Sequence, residues 1–330
     1  MTRISGFATR TDFEERHLLE QVIAADRAPA TNSFKGLAAA ILMGVIGPEV
    51  FIVQPGFVQG LVAHLGFTER QAGYTASAEM FGIAATTILL TFIAHRINWR
   101  RVFAGSLLVM FLTNAASTLV QDFELFTALR VVAGLGAGGL VSLSFAAIGL
   151  TENPDRNFGY LIMWVLIYGA VGLLLMPSAY ALGGIAVVLW FFALFPLVGF
   201  PFVRHLPVTG ETAVAVEQDA VTLPAGLRGL ALAAMLAYFL AQGVVWAYLF
   251  LIGISGGLGE QQVANGLMIS QFAGIAGAFL AALVGPRYGR PAPLTLGILG
   301  GALCLWFLVG DLRFLVFALA VSVYNFAWNL

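Results

Sequence analysis

Leu129-Arg130-Val131-Val132-Ala133-Gly134-Leu135-Gly136-Ala137-Gly138-Gly139 is the stretch on which the reading of this chain turns. It lies inside an apolar run, 125–149, long enough to cross a bilayer as a helix. Gly134 and Gly138 stand four residues apart on one helical face, the spacing that lets two membrane helices approach backbone to backbone, and Gly136 belongs to the same small-residue run. Arg130 does not lose its proton in practice, so within a bilayer it must find a carboxylate, water or backbone carbonyls. The stretch therefore reads as a close-packed membrane helix carrying one obligatory charge.

The rest of the chain agrees. Hydrophobic residues make up 60% of the 330 positions and charged residues only 10%, too little charge to cover a water-facing surface of this size but enough where lipid covers it. Ten apolar segments, near 36–60, 72–94, 102–120, 125–149, 158–180, 183–203, 229–252, 263–284, 292–310 and 314–330, have the length of bilayer spans. Barrel strands are excluded, because they are shorter and alternate apolar with polar residues. The net charge of -1 lacks the basic stripe of a nucleic-acid binder. Cys304 is the only cysteine, and His17, His64, His95 and His205 fall in loops or at segment ends, so no metal site or cofactor is expected.

Of the 16 Lys and Arg residues, 13 fall on one side if the N-terminus is cytoplasmic; only Arg70 and Arg313 fall outside, and Arg130 is within a span. That bias sets the expected topology: a cytoplasmic tail at 1–35, a first bundle of six helices at 36–203, a cytoplasmic linker at 204–228, and four helices of a second bundle at 229–330. The halves are related by an internal repeat. Shifted by 191 positions, Glu69 falls on Glu260, Gln71 on Gln262, Phe81 on Phe272, Ala85 on Ala276 and Arg96 on Arg287, a pattern expected of carriers built from duplicated bundles.

Two motifs resemble those of a known family. The arginine and alternating glycines of 129–139 are similar to the fourth-helix motif of the major facilitator superfamily. The turn His95-Arg96-Ile97-Asn98-Trp99-Arg100-Arg101 and its repeat partner Gly285-Pro286-Arg287-Tyr288-Gly289-Arg290 resemble that family's basic signature loop, with His95 and Pro286 where the family has an acid. Gly169, Gly172 and Pro177 loosely resemble the antiporters' fifth-helix signature. The resemblance implies an all-α fold of two pseudo-symmetric bundles with twelve helices. About ten are present here, and the sequence is expected to continue through two more. A ten-helix drug/metabolite carrier is the alternative architecture.

Glu49, Glu79 and Arg130 are the only charges within the ten spans, and intramembrane charges are functional-site candidates. Glu49 follows Gly47-Pro48, a pair that distorts a helix and frees backbone groups; it is the expected proton carrier, with Arg130 tuning it. Counted from the outer surface at 1.5 Å per residue, Glu49 lies about 16 Å deep, Glu79 about 10 Å and Arg130 about 8 Å. Depth therefore pairs Arg130 with Glu79, whereas the family resemblance pairs it with Glu49. Gln54, Trp164, Tyr168, Gln242, Trp246 and Asn325 are the expected substrate contacts, with Tyr238, Gln271 and Tyr324 as further candidates. Gln242 and Trp246 share a face; Gln54 would point about 140° away from Glu49 on an ideal helix. No nucleophile, base pair or ligand set converges as an enzyme would need.

The expected activity is secondary active transport of a small organic molecule by alternating access, most simply proton-coupled efflux of a neutral or cationic, partly aromatic compound. Proton-coupled uptake of a sugar or organic acid is the rival. The expected location is a bacterial inner membrane. The proton gradient is the expected energy source, lipid and substrate the expected partners, and no protein partner is expected.

Overall fold

The computed structural model describes residues 32–209, 224–288, 291–309 and 312–329. The expected tail up to residue 31, the linker at 210–223, and Gly289 and Arg290 of the second basic turn lie outside the described residues, as does the side chain of Arg287. Among the described residues every regular element is helical. In chain order these are α1 (Phe34–Ile46), α2 (Glu49–Ile52), α3 (Gln54–Leu65), α4 (Glu69–Ile93), α5 (Trp99–Ser117), α6 (Phe123–Gly149), α7 (Pro154–Gly183), α8 (Ile185–Gly199), α9 (Ala225–Ser255), α10 (Glu260–Tyr288), α11 (Pro291–Trp306) and α12 (Phe314–Asn329). Six of them, α4 and α6 to α10, are long and apolar enough to cross a membrane. The other expected spans correspond to shorter, interrupted or more polar helices.

The first expected span, 36–60, is not one helix but three. Ser33 starts it by accepting the N–H of Gly36 at 3.0 Å. Pro48 and Pro55 then each remove a backbone donor, and the chain leaves helical geometry at Pro48 and again at Val53. The segment runs on to Leu65 and stops at Gly66, whose φ of 68° is the left-handed conformation that glycine adopts without penalty. This corrects the ideal-helix angle between Glu49 and Gln54, since the break at Val53 lies between them.

Glycines set the closest approaches. A Cβ on Gly134 would sit 2.1 Å from the Glu79 carbonyl oxygen, one on Gly82 2.3 Å from that of Val131, and one on Gly138 2.6 Å from that of Ile83. Side-chain-free faces thus let α4 and α6 meet backbone to backbone. Gly136 faces another neighbour, with its Cβ position 3.0 Å from the Ser106 carbonyl oxygen of α5. The same device joins α10 to α12, where a Cβ on Gly277 would lie 2.3 Å from the Phe326 carbonyl oxygen.

The 191-residue repeat reaches further than the expected 69–96 segment. Helix starts at Phe34 and Ala225, Glu69 and Glu260, and Phe123 and Phe314 are each 191 apart. The Gln71 side chain accepts the Thr68 N–H at 3.0 Å, and Gln262 accepts the Gly259 N–H at 3.1 Å. Both reach back over the helix start in the manner of a capping box.

Among the described residues the two halves meet from the Gly66 end to about mid-span, where Gln261 donates to the Leu174 carbonyl and Gln271 lies against Gly169. The last turns of α9 pack on α3, and α10 packs on α7. From Gly229 to Ala241, by contrast, every residue of α9 except Tyr238 is exposed. Among the described residues, the halves are thus in contact at the Gly66 end, while α9 stands clear of the first half towards the Arg96 end. Large apolar side chains such as Phe81, Phe92 and Leu232 face outward, each about 70% exposed, as expected where the surrounding medium is lipid.

Candidate functional site

The three expected charges are all buried inside the first half, and two of them pair. Gly82 and Gly134 bring α4 and α6 together, and this places Arg130 Nη1 3.8 Å from Glu79 Oε2. Arg130 Nη2 donates to Ser117 Oγ at 2.9 Å, and the guanidinium lies 5.6 Å from the centre of the Phe126 ring. Arg130 is fully buried and Glu79 only 3% exposed. Depth, rather than the family pairing, chose Arg130's partner.

Glu49, also fully buried, opens α2 at the first break. Its Oε1 accepts from Asn114 Nδ2 of α5 at 3.3 Å, and the same nitrogen donates to the Phe192 carbonyl at 2.9 Å. Glu49 thus faces the interior of the first half, towards α5 and α8. Glu49 Oε2, Glu79 Oε2, Arg130 Nε and Nη1, Asn114 Oδ1 and Tyr168 Oη are all buried without a protein hydrogen bond. So many unsatisfied groups in one place are costly, and a cluster that retains them can gain or release a proton or bind a polar group. Sequence reasoning missed Asn114, Ser117 and Phe126. A lone amide in the middle of the apolar 102–120 segment was the signal for Asn114.

Trp164 and Tyr168 lie elsewhere than the meeting surface of the two halves. They line a groove of about 1060 Å³ between α1, α7 and α8, whose wall carries the stacked rings of Tyr168, Phe195 and Phe191, with centroids 5.5 and 5.6 Å apart along the stack. Trp164, half exposed, stands at its mouth.

The remaining polar candidates sit in or against the second half. Tyr324 Oη donates to Gln242 Oε1, and Asn325 Nδ2 donates to Ser270 Oγ at 3.3 Å. Gln271 is buried against Gly169 of α7. Trp246 Nε1 donates to the Phe51 carbonyl at 3.0 Å, across the two halves, and Tyr248 Oη to the Glu69 carbonyl at 3.0 Å. Gln54 is buried at the start of α3. Tyr238 lies apart, packed edge-on against Phe239. In the basic turn, Arg96 Nε donates to His95, Arg100 Nε donates to the Leu206 carbonyl at 2.7 Å, and Arg101 is exposed.

Two glycine-seamed helical halves in a membrane, one of them holding a buried ionisable cluster, are the architecture of a multi-pass membrane transporter. Residues 39–330 match the family model of the Major Facilitator Superfamily, and the chain belongs to that family. Among solved structures it is similar to the nucleoside transporter NupG (14% identity, 89% of this chain and 78% of that one, TM-score 0.67). It is also similar to the xylose transporter XylE from E. coli in a partially occluded inward open conformation (14% identity, 90% and 84% coverage, TM-score 0.66). At this identity the likeness is one of fold. Among curated proteins it is 29% identical over 118 residues to a "Multidrug resistance protein B homolog" of Mycobacterium tuberculosis strain H37Rv, a match covering 36% of this chain and only 21% of the relative's length.

Proposed function

We propose that the protein exports a small, neutral or cationic, partly aromatic compound across a bacterial inner membrane in exchange for protons. In this reading the N-terminus and the Arg96 end face the cytoplasm, following the basic-residue bias, and the described state is open to that side. Glu49 carries the coupling proton. The observation that carries the reading is the buried carboxylate of Glu49, held by Asn114 through one oxygen and left without a protein partner on the other. An acid placed this way, at a helix break inside a moving half, can couple protonation to rearrangement. Arg130 and Glu79 provide the fixed charges around it. Substrate recognition falls to the neutral groups of the second half, Gln242, Gln271 and Asn325. The aromatic groove at Trp164 and Tyr168 offers a flat apolar molecule a way in from the bilayer.

Glu49→Gln keeps size and hydrogen bonding but cannot carry a charge. In proteoliposomes holding the full-length protein, it is expected to abolish gradient-driven expulsion from a compound panel while leaving counterflow exchange measurable. Uphill transport with an unchanged pH dependence would overturn the assignment and make Glu79 the acid to test. Gradient-driven accumulation in the opposite sense would replace export by uptake.

A further inference from the structure

The Phe51 carbonyl loses its helical partner through the sequence itself. In an unbroken helix it would accept the N–H of residue 55, but residue 55 is proline, which has none. At the break the Val53 N–H turns back to this oxygen, and the oxygen's remaining lone pair takes the indole N–H of Trp246, at 3.0 Å, from α9 in the other half. Trp246 is 6% exposed, and its ring is fixed edge-on by Trp328 with centroids 6.3 Å apart. Phe51 and Glu49 belong to the same four-residue helix, α2, which is bounded by the breaks at Pro48 and Val53. One short rigid piece therefore holds the proposed proton site on one side and the link between the halves on the other.

We infer that the Trp246 indole is a positioning residue for the transport cycle: its hydrogen bond to the Phe51 carbonyl holds the Gly66 end shut, and α2 relays changes at Glu49 to it. The expected contact between Trp246 and substrate is not required. Opening the Gly66 end separates α9 from α3 and must break this bond. Tyr248, two residues closer to that end, adds a second cross-half bond to the Glu69 carbonyl, but that acceptor lies in the first turn of α4 and has no tie to Glu49.

The inference rests on alternating access as proposed above, and its test needs neither substrate nor gradient. Spin labels at Gln121 and Ser255, both exposed at the Gly66 end, in a Cys304→Ala background, report the separation of the halves there. Trp246→Phe keeps an aromatic ring and removes the N–H; Pro55→Ala supplies an N–H that competes for the Phe51 carbonyl by joining α2 to α3 across Val53. Each is expected to raise the ratio of long to short distances roughly two- to tenfold, the size of one buried hydrogen bond. The double variant should do no more than either alone, because both act on one bond. Glu49→Gln should move the same distribution in the Trp246 protein and not in the Trp246→Phe protein. Unchanged distances in both single variants would overturn the latch, as would additive effects in the double variant. A distribution that ignores Glu49→Gln would overturn the relay alone. A failure of proton-coupled export in the transport assay would leave the distance result standing, so the two proposals fail separately.

Discussion

Between α4 and α6 a seam of glycines encloses Glu79 and Arg130; between α10 and α12 an equivalent seam at Gly277 encloses Ser270 and Asn325. The 191-residue repeat makes the comparison residue by residue: Glu79 corresponds to Ser270, Arg130 to Val321, Glu49 to Leu240 and Asn114 to Leu305. Every charged member of the first cluster has a neutral counterpart. The backbone approach is common to both halves because it depends only on the absence of side chains. The chemistry differs because a buried charge is tolerated only where its partners are also present. One half thus buries ionisable groups and the other, at the corresponding positions, only neutral ones, a contrast that an identical pair of halves could not provide.

The largest effect that can test this contrast is at Arg130. Arg130→Met strands Glu79 and is expected to cost about 3–5 kcal/mol, read as a lowered unfolding temperature of the purified protein in detergent. Adding Glu79→Gln should recover much of that loss, because the stranded charge is then gone. Val321→Met at the counterpart position changes only packing and should cost about 1–3 kcal/mol. Equal losses, or no recovery in the double variant, would erase the distinction between the halves.

A smaller effect sharpens what they share. Gly134→Ala and Gly277→Ala each drive a methyl against a carbonyl of the neighbouring helix and should cost similar amounts, roughly 1–3 kcal/mol. Gly105→Ala, whose Cβ would meet nothing within 4 Å, should leave stability unchanged or raise it by up to about 1 kcal/mol. Smallest of all, Gln71→Ala and Gln262→Ala each remove a reach-back to a helix start. Each is expected to lower the unfolding midpoint by an amount worth roughly 0.5–1 kcal/mol. A clear effect in one half and none in the other would mean that the repeat in sequence is not a repeat in energetics.

Six of the spans were legible as single long helices because apolarity over a fixed length is a direct consequence of the bilayer. The close packing of α6 was legible because glycines four apart favour backbone-to-backbone approach in a membrane, but that its partner is α4 was not. Gln71 and Gln262 could be matched before their shared role was visible. The arrangement of the site was less legible. Depth pointed Arg130 to Glu79, but the environment of Glu49 depended on the rotation of α5, which turns Asn114 inward, and no local pattern fixes that rotation. Trp164 and Tyr168 were recognisable as aromatic groups in a span, yet the groove they line follows from how α1, α7 and α8 splay. Trp246 was singled out for its own side chain, while its partner is a main-chain oxygen 195 residues away.

That partner has a consequence for how the sequence can drift over evolutionary time. A main-chain oxygen is supplied by whatever residue occupies position 51, so the phenyl ring there is free to change without touching the bond. Positions 55 and 246 have no such latitude: a lineage that loses the proline gains a competing donor, and one that loses the indole loses the bond that spans the halves. Among natural variants, those two positions should change together or not at all, with position 51 wandering between them.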